Sequence, residues 1–277
     1  AQYFSNVFLE QNITLAGNTL NAVSQNINTY LDDLNRISIL PYMDSELLDA
    51  FHTYANAGRG STDDYSLLQA ERKIRVSFQL SLDTNRNEVN SILIVYPDGK
   101  ADYFNRYTEV SVKSGYSFAD QKWFQPIIAA NGSAAFVDLH PEDYLEKPLD
   151  GDVFSIGRLI KDPNSQEGLV LIVSNINNKS IDNILNTDNF GESSYILIQD
   201  NQGKLVYSPQ TVEADLQSEI FTCTDSTLTY AGEKYAKLDK HIGNTDWTIN
   251  VLMPYYPAGN NIALAKITIT VSILFEI

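Results

Sequence analysis

One cysteine, Cys223, stands in a chain of 277 residues. This excludes an intramolecular disulfide and any zinc cluster built on cysteines. Extracytoplasmic proteins can lack disulfides, so the compartment stays open. Basic residues are scarce as well: 19 Lys and Arg face 35 Asp and Glu, giving a net charge of −16 and a pI near 4.4. A phosphate backbone needs clustered cations, so nucleic acid is excluded as a partner. An anionic membrane surface would repel the chain wherever no anchor holds it. The three histidines, His52, His140 and His241, are scattered and form no HExxH pair. No phosphate loop, nucleophile elbow or dinucleotide fingerprint occurs. The chain therefore reads as a non-enzyme with no cofactor and no metal ligand set. Asp138, Glu142, Asp143, Glu146, Asp150 and Asp152 form an acidic run between residues 138 and 152. Its spacing is not the alternating one of a calcium loop, and it reads as a solvated loop.

What is present is a packed globular chain, 43% hydrophobic and 11% aromatic. The strongest periodicity lies at the start. Leu9, Ile13, Ala16, Leu20, Val23, Ile27, Tyr30, Leu34 and Ile37 alternate steps of four and three, one stripe of a helix ending at Pro41. At about 1.5 Å per residue, a helix over residues 4–40 would be roughly 55 Å long. It must run alongside more than one unit or project from one. The stripe serves either as a dimer interface or as the face laid on the sheets. Helices follow at Asp44–Asn56 and Thr62–Leu82, with Asp44 and Thr62 or Asp63 suited to cap them.

From residue 90 the texture turns to strands. Ser91–Asn105 reads SILIVYPDGKADYFN, and about one hundred residues later Ser194–Pro209 reads SYILIQDNQGKLVYSP. Both are strand, turn with Gly-Lys, and strand. Between them come a helix at Phe118–Ala130, strands at Ala134–Leu139, Val153–Lys161 and Gly168–Asn175, and a helix at Lys179–Asn186. After the second hairpin, strands are expected at Ser226–Tyr230, Glu233–Leu238 and Thr245–Met253. Strands joined by turns, with few helical crossovers, indicate antiparallel sheets of the α+β class. The repeated phrase marks two related units in tandem. The end of the chain, IALAKITITVSILFEI from Ile262, is mostly apolar but shorter than the roughly 20 residues of a full span. It is either a helix closing the fold or the first turns of a transmembrane helix.

A long N-terminal helix, two PAS-like α+β units and a terminal apolar helix together resemble the double Cache sensor domain. FADQKWFQPIIAANG (Phe118–Gly132) is similar to the family's helix with an aromatic pair, and GLVLIVSNI (Gly168–Ile176) to the strand leading out of the distal pocket. FSIGRLI at Phe154–Ile160 resembles ectodomains of sensor histidine kinases, while chemoreceptors and cyclases carry similar modules. The resemblance divides the chain into a helical segment 1–89, a membrane-distal unit 90–190, a membrane-proximal unit 191–254 and a C-terminal helix 255–277 that starts a transmembrane segment.

It further implies an extracytoplasmic domain of a cell-membrane receptor, held by flanking transmembrane helices and able to act as a homodimer. A small-molecule ligand would sit in the distal unit. The alternative is a secreted structural or adhesive protein. Amino-acid-sensing members share the pattern Tyr-x4-Arg-x-Trp-Tyr and a later Asp. The matching positions hold Tyr116, Gln121, Trp123 and Phe124, and the later one is Asn175. An Arg fork grips a carboxylate and an Asp pairs with an ammonium, whereas amides carry no charge. The implied ligand is polar and neutral, saccharide-like rather than a free amino acid. Phe154 and Arg158 on the adjoining strand complete the expected site.

Overall fold

The structure is a computed structural model that describes residues 2–57, 62–84, 89–106, 110–147, 149, 151–185, 190, 191, 193–243 and 245–255, with side chains from residue 10 onward. The apolar helix expected over 255–277 lies outside the described residues apart from Tyr255. Among the described residues no helix is long and apolar enough to cross a membrane.

The chain divides into two compact units, one of residues 27–183 and one of residues 1–26 with 184–277. The first helix, α1 (Gln2–Ser38), supplies residues to both. Its stripe is buried within the chain: Ala16, Leu20, Val23, Ile27, Leu34 and Ile37 are all at most 5% exposed. These six stripe positions pack into the chain's own core, while Ile13 and Tyr30 are half-buried.

In the larger unit, a short α2 (Leu40–Met43) leads to α3 (Ser45–Ala57) and α4 (Asp64–Thr84). Asp44 Oδ1 accepts from Leu47 N at 3.1 Å and Asp63 Oδ1 from Ser66 N at 3.0 Å, so the capping carboxylates satisfy free N–H groups of each first turn. The sheet runs β2-β1-β5-β4-β3, antiparallel throughout. Its strands are β1 (Val89–Val95), β2 (Ala101–Asn105), β3 (Ala135–His140), β4 (Val153–Lys161) and β5 (Gly168–Asn177). Successive side chains alternate faces. One face is covered by helices, where Phe78 lies 6.2 Å from Phe51 and 6.1 Å from Phe104, ring centre to ring centre. The other face is covered by residues from 110–130 and from the loop after β3, among them Phe118, Phe124, Ile127, Tyr144 and Leu145.

That covering segment departs from the sequence expectation. Phe118–Ala130 is not one helix but a 3-10 turn at Phe118–Asp120 followed by α5 (Gln125–Ala129). Pro126 donates no N–H and disfavours helical backbone at the preceding residue, so the helix begins beside it.

After α6 (Asn178–Ile184), the second sheet repeats the order as β7-β6-β10-β9-β8. Its strands are β6 (Tyr195–Gln199), β7 (Leu205–Tyr207), β8 (Thr227–Tyr230), β9 (Glu233–His241) and β10 (Thr248–Pro254). One helix was not foreseen, α7 (Ala214–Thr222), which lays Leu216 and Ile220 on Leu197 and Leu252. Val212, Leu216 and Ile220 at four-residue spacing are its signal. The two hairpins superpose residue for residue in their bonding. Tyr96 N donates to Lys100 O and Gly99 N to Tyr96 O, while Asp200 N donates to Lys204 O and Gly203 N to Asp200 O. The glycines sit at φ of 83° and 80°, which only glycine adopts without strain.

Candidate ligand-binding site

The loop-covered face of the first sheet is apolar at one end and polar at the other. Leu93, Val95 and Val173 lie in its core with Phe118, Phe124 and Ile127. At the polar end the register aligns Ser91, Asn175 and Ser155 across β1, β5 and β4. All three are at most 2% exposed. Buried polar groups need partners, and here they find them in one network.

Its centre is Glu142, 3% exposed. Its Oε1 accepts from Ser91 Oγ at 2.9 Å, Tyr144 OH at 2.8 Å and Asn175 Nδ2 at 3.0 Å, and the Tyr103 hydroxyl donates to both carboxyl oxygens at 3.1 and 3.2 Å. On the other side of the amide, Ser155 Oγ donates to Asn175 Oδ1 at 2.6 Å. That hydroxyl can then accept from a protonated His140 Nε2 at 2.7 Å, while His140 Nδ1 faces the Pro141 carbonyl at 3.2 Å. The chain of donors runs His140, Ser155, Asn175, Glu142. Burial and the adjacent Glu142 raise the Tyr103 and Tyr144 hydroxyls above their ordinary range, so both remain donors at any working pH.

Aromatic rings roof this centre. Trp123 stacks on His140 at 4.2 Å with planes 5° apart, and meets Phe118, Phe124 and Tyr144 at 6.4, 5.4 and 5.9 Å. Tyr116 lies 4.9 Å from Phe118 and donates to Asp143 Oδ1 at 2.6 Å. Two loops are zipped to hold it in place: Val112 bridges Leu145, and Lys113 N donates to Tyr144 O at 2.8 Å. The Trp123 indole N–H is buried without a hydrogen-bond acceptor. It influences the nearby Tyr116 hydroxyl, but not with hydrogen-bond geometry. Tyr116, Phe118 and Phe124 border an open groove of about 840 Å³ that also runs past Lys113 and the β1–β2 turn.

The expected residues therefore divide. Tyr116, Trp123, Phe124 and Asn175 belong to one cluster. Gln121 stands beside it but turns its amide back to Ser117 O at 3.2 Å. Phe154 and Arg158 require correction. They alternate with Ser155 and Gly157 and so occupy the helix-covered face. There Arg158 donates to Asn35 Oδ1 at 2.9 Å and Ser38 Oγ at 3.2 Å on α1, and to Gly132 O at 2.7 Å. Burial lowers its pKa, and it holds the helix to the sheet. The acidic run also differs from the expected solvated loop, since Glu142 is its buried member. Among the described residues no three acidic, His or Cys side chains converge to hold a metal. Ser91, Tyr103, His140, Glu142, Tyr144 and Ser155 were not anticipated. Lone Ser and Asn in otherwise apolar strands, at Ser91, Ser155 and Asn175, were the available signal.

The network has a pH signature. Burial drives the His140 pKa down from 6.5 to about 4, although Pro141 O and the charge of Asp143 favour the proton. In the unfolded chain His140 titrates near 6.5, so between these values the unfolded state holds more protons. Stability is complete above pH 6.5 and falls as the pH drops, by about 2 kcal/mol at pH 5. Denaturant unfolding at pH 7.5 and 5 should show this loss, and His140→Asn should remove most of the slope.

Neither a protein-family model nor a curated protein sequence matches the chain. Solved structures do. The fold is that of the double Cache sensor domain. The periplasmic sensory domain of the Campylobacter jejuni chemoreceptor Tlp1 aligns with a TM-score of 0.63 and 9% identity, over 90% of this chain and 97% of that one. The ligand-binding domain of Campylobacter jejuni Tlp3 in complex with L-norvaline aligns at 0.57 and 8%, over 89% and 92%. That of Pseudomonas aeruginosa PAO1 PctB in complex with L-Arg aligns at 0.54 and 12%, over 86% and 92%.

Proposed function

We propose that the chain is the extracytoplasmic ligand-sensing domain of a membrane signalling receptor, non-enzymatic itself, with its ligand seated on the loop-covered face of the first sheet. The observation that carries this reading is the buried network centred on Glu142 and Asn175 beneath the Trp123 roof, in a fold whose solved examples are sensory and ligand-binding domains. The FSIGRLI strand favours a histidine kinase as output, while the structures of similar fold come from chemoreceptors.

The exchange of Arg and Asp for Gln121 and Asn175 argues for a neutral guest. Glu142 refines this by returning one acceptor-rich carboxyl to the site. Among the network residues nothing is cationic while His140 is neutral, so a ligand carboxylate would be buried without a partner. The ligand we propose is small and polar, rich in donors and free of anionic groups, with aromatic faces suited to the apolar faces of a saccharide. It would engage the unused Trp123 N–H and displace the Tyr144 ring.

Titration calorimetry with free amino acids, monosaccharides and disaccharides, and polyols tests the assignment. Binding of a neutral polyhydroxy ligand that disappears in Trp123→Ala is expected. Tight binding of a free amino acid would exclude a neutral ligand. No binding by any of the panel, together with no change in melting temperature, would favour the secreted or adhesive alternative.

A further inference from the structure

The matched hairpins put the two sheets into register with each other. Val95 corresponds to Gln199, and through the strand pairings Leu171 to Thr248, Val173 to Asn250, Leu159 to His241 and Gly157 to Asp239. At these five positions the first unit carries an apolar residue or glycine and the second a polar one. At the other end the buried polar Ser91 and Asn175 become Tyr195 and Leu252, while Ser155 becomes Lys237. The buried amides of the two units, Asn175 in one and Gln199 with Asn250 in the other, thus lie toward opposite ends of the same face.

The fold does not require polarity there, since Val95 and Val173 occupy the same places in the first unit. Yet Gln199 is 1% and Asn250 5% exposed, and burying two amides is unfavourable unless they are satisfied. Gln199 Nε2 donates to Gly203 O at 3.2 Å and to Gln217 O of α7 at 3.0 Å, and its Oε1 accepts from Asn250 Nδ2 at 3.3 Å. Among the described residues no donor reaches Asn250 Oδ1, and this residue lines an open groove of about 650 Å³. Asp200, Asp239 and Asp246 border the groove, with Lys237 as the cation on its lining. That ammonium is engaged by the carbonyl of Cys223. The Phe221 ring, 47% exposed, lies over the turn glycine Gly203, where any Cβ would come within 2.6 Å of it, and gives the groove one apolar wall.

We propose that this groove is a second binding site, distinct from the one on the first sheet, for a small organic cation with an ammonium or guanidinium on a short aliphatic stem. The carboxylates of Asp239 and Asp246 receive the charge, Asn250 Oδ1 accepts one N–H, and Phe221 covers the stem. No three lining groups converge to hold a metal ion, which favours an organic cation over a divalent one. The inference stands whether or not the first site takes a neutral ligand.

Titration of the whole chain with putrescine and with agmatine at low salt tests it. Saturable binding of at least one amine is expected, weakened about tenfold in Asp239→Asn, an exposed position whose change leaves the fold intact. Asn250→Val, which installs the residue found at the matched position of the first unit, should weaken it further while thermal melting verifies folding. Absence of binding by both amines overturns the proposal. So does amine binding that Asp239→Asn leaves unchanged, or a stronger response to calcium than to either amine.

Discussion

Glu142→Ala is expected to destabilise the first unit on the order of 4 kcal/mol, the sum of several buried donors each losing its acceptor. The hydroxyls of Ser91, Tyr103 and Tyr144 and the Asn175 amide all point at this carboxyl. The melting temperature should fall by roughly 10 °C, read by circular dichroism. Glu142→Gln separates charge from packing, because it preserves volume but aims an NH₂ group at existing donors. It should fall between wild type and alanine. A glutamine variant as stable as wild type would mean that the carboxyl acts only as a spacer.

Gly157→Val should be nearly as damaging, about 3 kcal/mol, by overpacking rather than by lost partners. A Cβ on Gly157 would lie 2.3 Å from Ile127 Cδ1 and 2.5 Å from its Cγ1. Ile127 is fully buried in the middle of α5, so it cannot swing away without moving the helix. Phe124, immediately before α5, and Trp123 beside it would move with it. The prediction is therefore paired: lower stability and loss of first-site ligand binding in one variant. Gly157→Ala, with only the Cβ added, should show the same signs at smaller size. Unchanged melting in both would mean that α5 is not seated on β4 as described.

Legibility in the sequence followed the reach of each interaction. The stripe on α1, the capping by Asp44 and the twin hairpins rest on neighbours a few residues away, and local spacing announced them. The break before α5 was also local, written in Pro126, but the run of aromatics around it masked the signal. Glu142 was obscured for a different reason. Its surroundings come from β1, β2 and β5, distant in sequence, and beside Asp143 and Glu146 it has the look of a surface residue. Phe154 and Arg158 were misplaced by one step of strand alternation. Only the pairing of Ser155 with Asn175 reveals which face of β4 meets the loops. Trp123 and Phe124 were named from the likeness of one local motif. Partners that come from another segment cannot be transferred in this way.

Residues 1–26 are grouped with residues 184–277, leaving residues 27–183 as a unit of contiguous chain. During synthesis the contiguous unit can close as soon as β5 emerges. The opening stretch of α1, with Ala16, Leu20 and Val23, must wait uncovered until β10, the last of the described strands, has left the ribosome. The smaller unit is thus the late and aggregation-prone step of assembly, and truncations before Thr248 should leave that helical stretch a target for chaperones and proteases while the larger unit still forms.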